Sequence, residues 1–148
     1  MKKTLLLLAS AALLLVGCQK EQVLKQNPDL AEGELVAATF SVNLDNNVVA
    51  KATADDDGNG EHANRCIMAL YYGNNLYGRY TASVSNYKAT FDVKVPAKRT
   101  YKAVFWADCA AEDDSDLYYN TADLTNITLK SDYVGNDDKR DAFFTLDE

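Results

Sequence analysis

Few residues of this chain are equipped for chemistry. There is one histidine, His62, and there are three cysteines, Cys18, Cys66 and Cys109. A cysteine nucleophile needs a base within hydrogen-bond reach, a third group to orient that base, and donors for the oxyanion. His62 stands four residues before Cys66 in a Gly/Asn/Asp-rich stretch, with no orienting group marked nearby. The pair is not expected to be catalytic, and no enzyme is expected. A structural zinc site needs four Cys or His ligands in close pairs, a spacing this chain lacks. Asp55-Asp56-Asp57-Gly58-Asn59-Gly60 sets oxygens at alternate positions with glycine sixth, as an EF-hand loop begins. Its twelfth position, a bidentate Glu in that motif, is Cys66 here, so the stretch reads as a solvated acidic hairpin loop. Asp113, Asp114 and Asp116 read the same way, as do Asp137, Asp138 and Asp141, with Asp141 alternatively pinning the last strand. No metal and no cofactor are expected.

Cys66 and Cys109 are the pair for which two readings stand open. A disulfide between them would close a loop of about 40 residues, worth roughly 3–4 kcal/mol in the chain-entropy account, in a compartment that permits it. Alternatively both are buried free thiols that pack as small hydrophobes, and this is the reading preferred.

Cys18 has the most definite chemistry. Lys2 and Lys3 precede an apolar run from Thr4 to Val16, the layout of a secretory signal. The run is short of the about 20 residues that span a bilayer. It ends in Leu15-Val16-Gly17-Cys18, which resembles the lipobox of bacterial lipoproteins. That resemblance implies cleavage before Cys18, a diacylglycerol on its thiol and acylation of the new amine; two or more chains anchor stably where one is marginal. Gln19-Lys20-Glu21 follows, and resembles in part the surface-export signal of Bacteroidota lipoproteins, with Gln22 in place of a second acid. The expected address is the outer membrane, lipid-anchored and facing outward. Removing residues 1–17 takes two lysines and no acid, leaving 131 residues with 13 bases against 22 acids, a net charge of −9. That length suits one domain with its own core. The acidity argues against nucleic acid, whose phosphates require basic patches, and leaves attachment to the membrane to the acyl chains.

The elements behind these residues read as strands. Residues 18–34 are polar, with Pro28 and Gly33, and are expected to form a flexible tether. From Leu35 to Glu148, short runs rich in Val, Thr, Tyr and Phe alternate with clusters of Asp, Asn and Gly, the signature of strands and turns. Strands are predicted at Val36–Leu44, Val48–Thr53, Arg65–Tyr72, Leu76–Ser83, Ala89–Val95, Arg99–Asp108, Asn126–Lys130 and Ala142–Leu146. Arg65–Tyr72 is apolar on both faces and reads as central. The long acidic stretch Asp108–Leu124 is expected to hold a helical turn. Of the nine tyrosines, most are assigned to core or rim, and Trp106 to core. The fold class is all-β, a sandwich or barrel of about seven strands.

Four segments carry a resemblance to a known family: Arg65-Cys66-Ile67-Met68, Val104-Phe105-Trp106-Ala107-Asp108, Tyr118-Tyr119-Asn120-Thr121-Ala122-Asp123-Leu124, and Asn136-Asp137-Asp138-Lys139-Arg140-Asp141-Ala142-Phe143. The chain resembles the fimbrillin-like domains of Bacteroidales surface lipoproteins, and specifically the uncharacterised family DUF6562. Phe105, Trp106, Ala107 and Asp108, with Arg140, Asp141, Ala142 and Phe143, are the specific pieces. The resemblance implies a transthyretin- or immunoglobulin-like Greek-key β-sandwich and a role as fimbrial subunit, anchor or accessory adhesin. In that family a strand from one subunit fills a groove in the next, after a protease trims the N-terminal region at a basic residue; Lys51 or Arg65 would be that residue here. Relatives run on past the Asp-Ala-Phe segment, so the domain is expected to lack its last strand and leave an open sheet edge for strand addition. Two other functions stand beside this one: a carbohydrate-binding surface lipoprotein of a polysaccharide-uptake system, and a non-functional gene fragment.

Overall fold

The structure is a computed structural model, and it describes residues 22–26, 33–44, 60–130 and 137–147. Cys18, the signal segment, the predicted strand Val48–Thr53, and Lys51 and Asp55–Asn59 lie outside the described residues. The described residues hold nine strands and one 3-10 turn at Asp138–Arg140. The strands are β1 (Gln22–Gln26), β2 (Leu35–Asn43), β3 (Arg65–Tyr72), β4 (Asn75–Ser83), β5 (Lys88–Pro96), β6 (Tyr101–Asp108), β7 (Tyr119–Asn120), β8 (Thr128–Leu129) and β9 (Ala142–Asp147). All pairings are antiparallel. The large sheet runs β1-β4-β3-β6-β9, β2 pairs with β5, and β7 with β8.

The all-β sandwich follows from the period-2 pattern. On β5, Ala89, Phe91, Val93 and Val95 are buried while Lys88, Asp92 and Lys94 are exposed. Its partner β2 turns Ala38, Phe40 and Val42 the same way. These side chains meet Cys66, Met68 and Leu70 of β3, Tyr77, Tyr80 and Ala82 of β4, and Ala103, Phe105 and Ala107 of β6 in one core. The other face of the small sheet is polar, with Thr39 Oγ1 donating to Asp92 at 2.6 Å.

A third layer explains why β3 and β6 are apolar on both faces. Ile67 and Ala69 of β3 and Val104 and Trp106 of β6 form a second cluster with Leu124, packed by Tyr71, Leu76, Tyr119 and Ile127. The connection from β6 to β9, which carries β7 and β8, thus covers the large sheet on the face opposite the small sheet. The helical turn expected within Asp108–Leu124 is not there: this stretch is irregular, apart from the two-residue strand β7. Its acids are spent on turns and on bonds to the sheet, which leaves no helical period.

The tether needs a second correction. Gln22–Gln26 pair with β4, with Gln22 opposite Thr81 and Gln26 opposite Gly78. Without β1, β4 would present a bare row of N–H and C=O groups, a liability at any sheet edge. The polar composition of the segment hides this role, because backbone pairing does not ask for apolar side chains.

Two turns set the registers. Gly73, at φ +58°, is the first of the two residues between Tyr72 and Asn75, where a tight hairpin favours glycine. Between Ser85 and Lys88, Asn86 and Tyr87 both have positive φ, 50° and 57°. That pattern suits Asn-Gly, and tyrosine occupies the glycine position. Tyr87 is exposed, and its carbonyl accepts from the Leu44 N–H at 2.7 Å. Left-handed backbone costs a non-glycine residue about 1–2 kcal/mol, against about 0.5–1 for the extra freedom of an unfolded glycine. Tyr87→Gly is therefore expected to stabilise the fold by about 0.5–1 kcal/mol, read as a higher urea midpoint at unchanged slope.

Candidate functional site: a buried arginine network flanked by two openings

β6 and β9 bring the two motif segments side by side. Trp106 lies opposite Phe144, Ala107 opposite Phe143, and Asp108 opposite Ala142. Phe105, Ala107 and Phe143 belong to the main core, whereas Trp106 packs in the outer cluster. Trp106 and Asp108 are two apart on one strand and so share a face. Trp106 Nε1 donates to Asp108 Oδ2 at 2.9 Å. Arg140 follows from the same packing: its carbonyl accepts from the Tyr119 hydroxyl at 2.5 Å, and its guanidinium lies 4.8 Å from the centre of the Tyr118 ring. Asp137 accepts from the Lys139 N–H, and the Asp141 N–H donates to the Asp138 carbonyl, which closes the 3-10 turn ahead of β9.

The centre of this arrangement is Arg65. It sits opposite Asp108 across β3 and β6, and both side chains are buried. Arg65 Nε donates to Asp108 Oδ1 at 2.9 Å and Nη2 to Oδ2 at 2.8 Å, the two-pronged pairing a guanidinium favours. Nη2 also reaches Asp116 Oδ1 at 2.9 Å, and Nη1 the Asp114 carbonyl at 2.6 Å. Burial disfavours the Arg65 charge, and the carboxylates of Asp108 and Asp116 outweigh it, so its pKa lies above the ordinary value. Arg65 is thus no protease site: a buried strand residue cannot enter a protease cleft, which corrects the expectation of trimming there.

Asp116 is the clasp on the acidic connection. It accepts from the Thr121 N–H at 2.8 Å and the Thr121 hydroxyl at 2.7 Å, and its carbonyl accepts from Lys130 Nζ at 2.5 Å. Burial pushes its carboxyl up, but the Thr121 bonds and then Arg65 outweigh it and hold it below the usual range. A depressed carboxylate stabilises the fold above its unfolded pKa of about 3.9, and that contribution vanishes as pH falls through the lower folded value. Asp116→Asn is expected to cost roughly 1–3 kcal/mol at pH 7 and to make stability less dependent on pH below about 4, measured by urea unfolding across pH.

Cys66 and Cys109 both carry free thiols. Cys66 is fully buried on the core face of β3, and burial, with Asp108 nearby, pushes its thiol up to about 12. Cys109, just past β6, is half-buried, and its thiol is raised by burial and then by Asp108. Since the thiolate is the nucleophile, native protein is expected to leave Cys66 unlabelled by an aromatic disulfide reagent at pH 8 while Cys109 reacts slowly; denaturant should expose both. Labelling of native Cys66 at the rate of Cys109 would contradict this burial. His62, in the loop before β3, is exposed.

Two openings flank the network. On its own face, a cleft of about 270 Å³ lies between β3–β4 and the acidic connection, lined by Arg65, Arg79, Thr81, Asp113, Ser115 and Thr121 among others. On the opposite face, a groove of about 470 Å³ runs where the two sheets part, lined by Thr39–Asn43 of β2, Phe105, and Thr145 and Leu146 of β9. Of these residues Phe105 and Thr121 stand in the segments that carry the resemblance, while Arg79 and the other groove residues are not singled out by type or spacing. Polar residues on strands carry no such mark until the layers are assembled.

Residues 30–148 match the model of DUF6562, a family of unknown function, and the chain belongs to that family. No curated protein and no solved structure matches it.

Proposed function

We propose that this protein is a lipid-anchored structural or adhesion component of a bacterial cell surface, a fimbrial subunit, anchor or accessory protein, that engages its partner by strand addition. The observation that carries the reading is the groove between β2 and β9. Among the described residues, each of these strands has one neighbour only, β5 and β6 respectively. Each therefore offers a row of backbone donors and acceptors along one side, which is what an added strand pairs with. Phe105, part of the main core, lines the groove, and the exposed Leu146 stands on its rim. An extended segment with alternating apolar side chains fits such a place: its backbone pairs with an edge and its side chains reach toward the core.

Lipidation at Cys18 supplies the anchor in this reading, outward-facing on an outer membrane, and the resemblance to fimbrillin-like lipoproteins supports both halves. A photo-crosslinking amino acid at Thr145, in the groove, and another at Lys94, on the polar face of the small sheet, tests the partner half in cells. Adducts at Thr145 that map to an extended segment of a fimbrial subunit, with none at Lys94, are the expected result; equal adducts at both positions would refute it. For the anchor, Cys18→Ala is expected to move the protein out of the membrane fraction, and a variant that fractionates as before would sink that half.

A further inference from the structure

We infer that the cleft between Arg79 and the Asp113–Thr121 segment is a binding site for one neutral sugar residue. It lies on the face of the large sheet opposite the β2–β9 groove, so it stands or falls independently of strand addition.

The contrast between the two arginines of the cleft carries the inference. Arg65 is engaged on Nε, Nη1 and Nη2 by two carboxylates and a carbonyl. Arg79 makes a single hydrogen bond, from Nη2 to Thr121 Oγ1 at 3.2 Å, and no ion pair among the described residues. Yet it is half-buried. Burial lowers its pKa, offset only in part by Asp116 and Asp123 acting through space. A guanidinium has five N–H donors in a rigid fork, and one bond leaves most of that fork for a ligand. A half-buried donor set with a single protein acceptor, beside a concavity, is a place where a ligand oxygen gains more than it would from an exposed lysine.

The surroundings select the ligand class. Arg65 is already neutralised by Asp108 and Asp116, so among the described residues lining the cleft Arg79 is the one cation left over. Against it stand Asp113 and Asp114, which also line the cleft. An anion would meet these acids, in a protein of formal net charge −7. A metal ion would meet two guanidinium groups, and no cluster of three potential ligands exists among the described residues. A neutral polyol meets neither obstacle. One hydroxyl accepts from Arg79 while its neighbour donates to a carboxylate; Thr81 adds a hydroxyl that does either, and Ser115, whose hydroxyl is bonded to Asp113, one that accepts. The volume, about 270 Å³, is just below the range for drug-sized ligands and suits one ring of a longer glycan. An open cleft of this size implies weak single-site affinity, on the order of 1 mM, which a surface bearing many copies would multiply.

The test is an amide ¹H–¹⁵N titration of the purified protein with galactose, glucose, mannose and N-acetylglucosamine, and with glucuronate and inorganic phosphate in parallel. The expected result is saturable shifts with at least one neutral sugar, clustered on the amides of Arg79, Ser115 and Thr121, and weaker or no binding of the two anions. Arg79→Gln is expected to reduce affinity about tenfold or more, the loss of a charge-assisted bond, with an otherwise native spectrum. Should that variant not fold, Ser115→Phe, at an exposed position, fills the cleft and should abolish the shifts. Absence of saturable shifts with every neutral sugar, tighter binding of glucuronate or phosphate, or an unchanged affinity in Arg79→Gln and Ser115→Phe would each overturn the proposal.

Discussion

A buried guanidinium must be surrounded by acceptors, because an unpaired charge in a protein interior costs far more than any contact it makes. Arg65 obeys that constraint, and most of the outer layer follows from it. Two of its partners, Asp114 and Asp116, sit in the connection that leaves β6, and the third, Asp108, ends β6 itself. The ion pair therefore acts as a jig for a segment with little regular structure of its own. Once Asp116 is held, Thr121 is held by its backbone and hydroxyl, and Leu124 lies close enough along the chain to seat against Ile67 and Trp106. The apolar contacts supply most of the free energy of this layer; the arginine decides its register.

The same constraint gives the Trp106-Ala107-Asp108 segment its meaning. Trp106 needs an acceptor for its indole N–H when buried, and the carboxylate two residues on provides it on the same face. Ala107 between them faces the main core, opposite Phe143. Arg140 ties the end of the connection back to Tyr118 and Tyr119. Trp106, Asp108 and Arg140 are accordingly fasteners of the third layer, whereas Phe105, Ala107 and Phe143 pack in the main core.

Strands with strong alternation or unbroken apolar runs were legible in the chain. β3 matches its predicted bounds, and β2, β4, β5 and β9 match to within a residue at each end. Legibility stopped where backbone or tertiary pairing does the work. β1 is five mostly polar residues held by main-chain bonds to β4, and β7 has two residues, too few for a period. Arg65 read as a protease site because it is basic and follows a Gly/Asn/Asp-rich loop; its burial depends on Asp108, 43 residues away, and no local pattern encodes that. Asp116 looked like one more solvated acid for the same reason.

The third layer also separates two surfaces that a simple two-sheet sandwich would leave equivalent. Covering the outer face of β3 and β6 turns that face into a polar, concave surface dominated by side chains, with Arg79 incompletely engaged at its centre. On the small-sheet side, among the described residues, the mismatch of a two-stranded sheet against a five-stranded one leaves backbone edges and a groove at β2 and β9. The first kind of surface recognises small polar molecules through fixed donors and acceptors, while the second recognises extended chains through main-chain pairing. Because the two lie on opposite faces of one rigid sheet, occupying the groove need not disturb the cleft. In the proposed reading, a strand added at the groove leaves the cleft free on the other face.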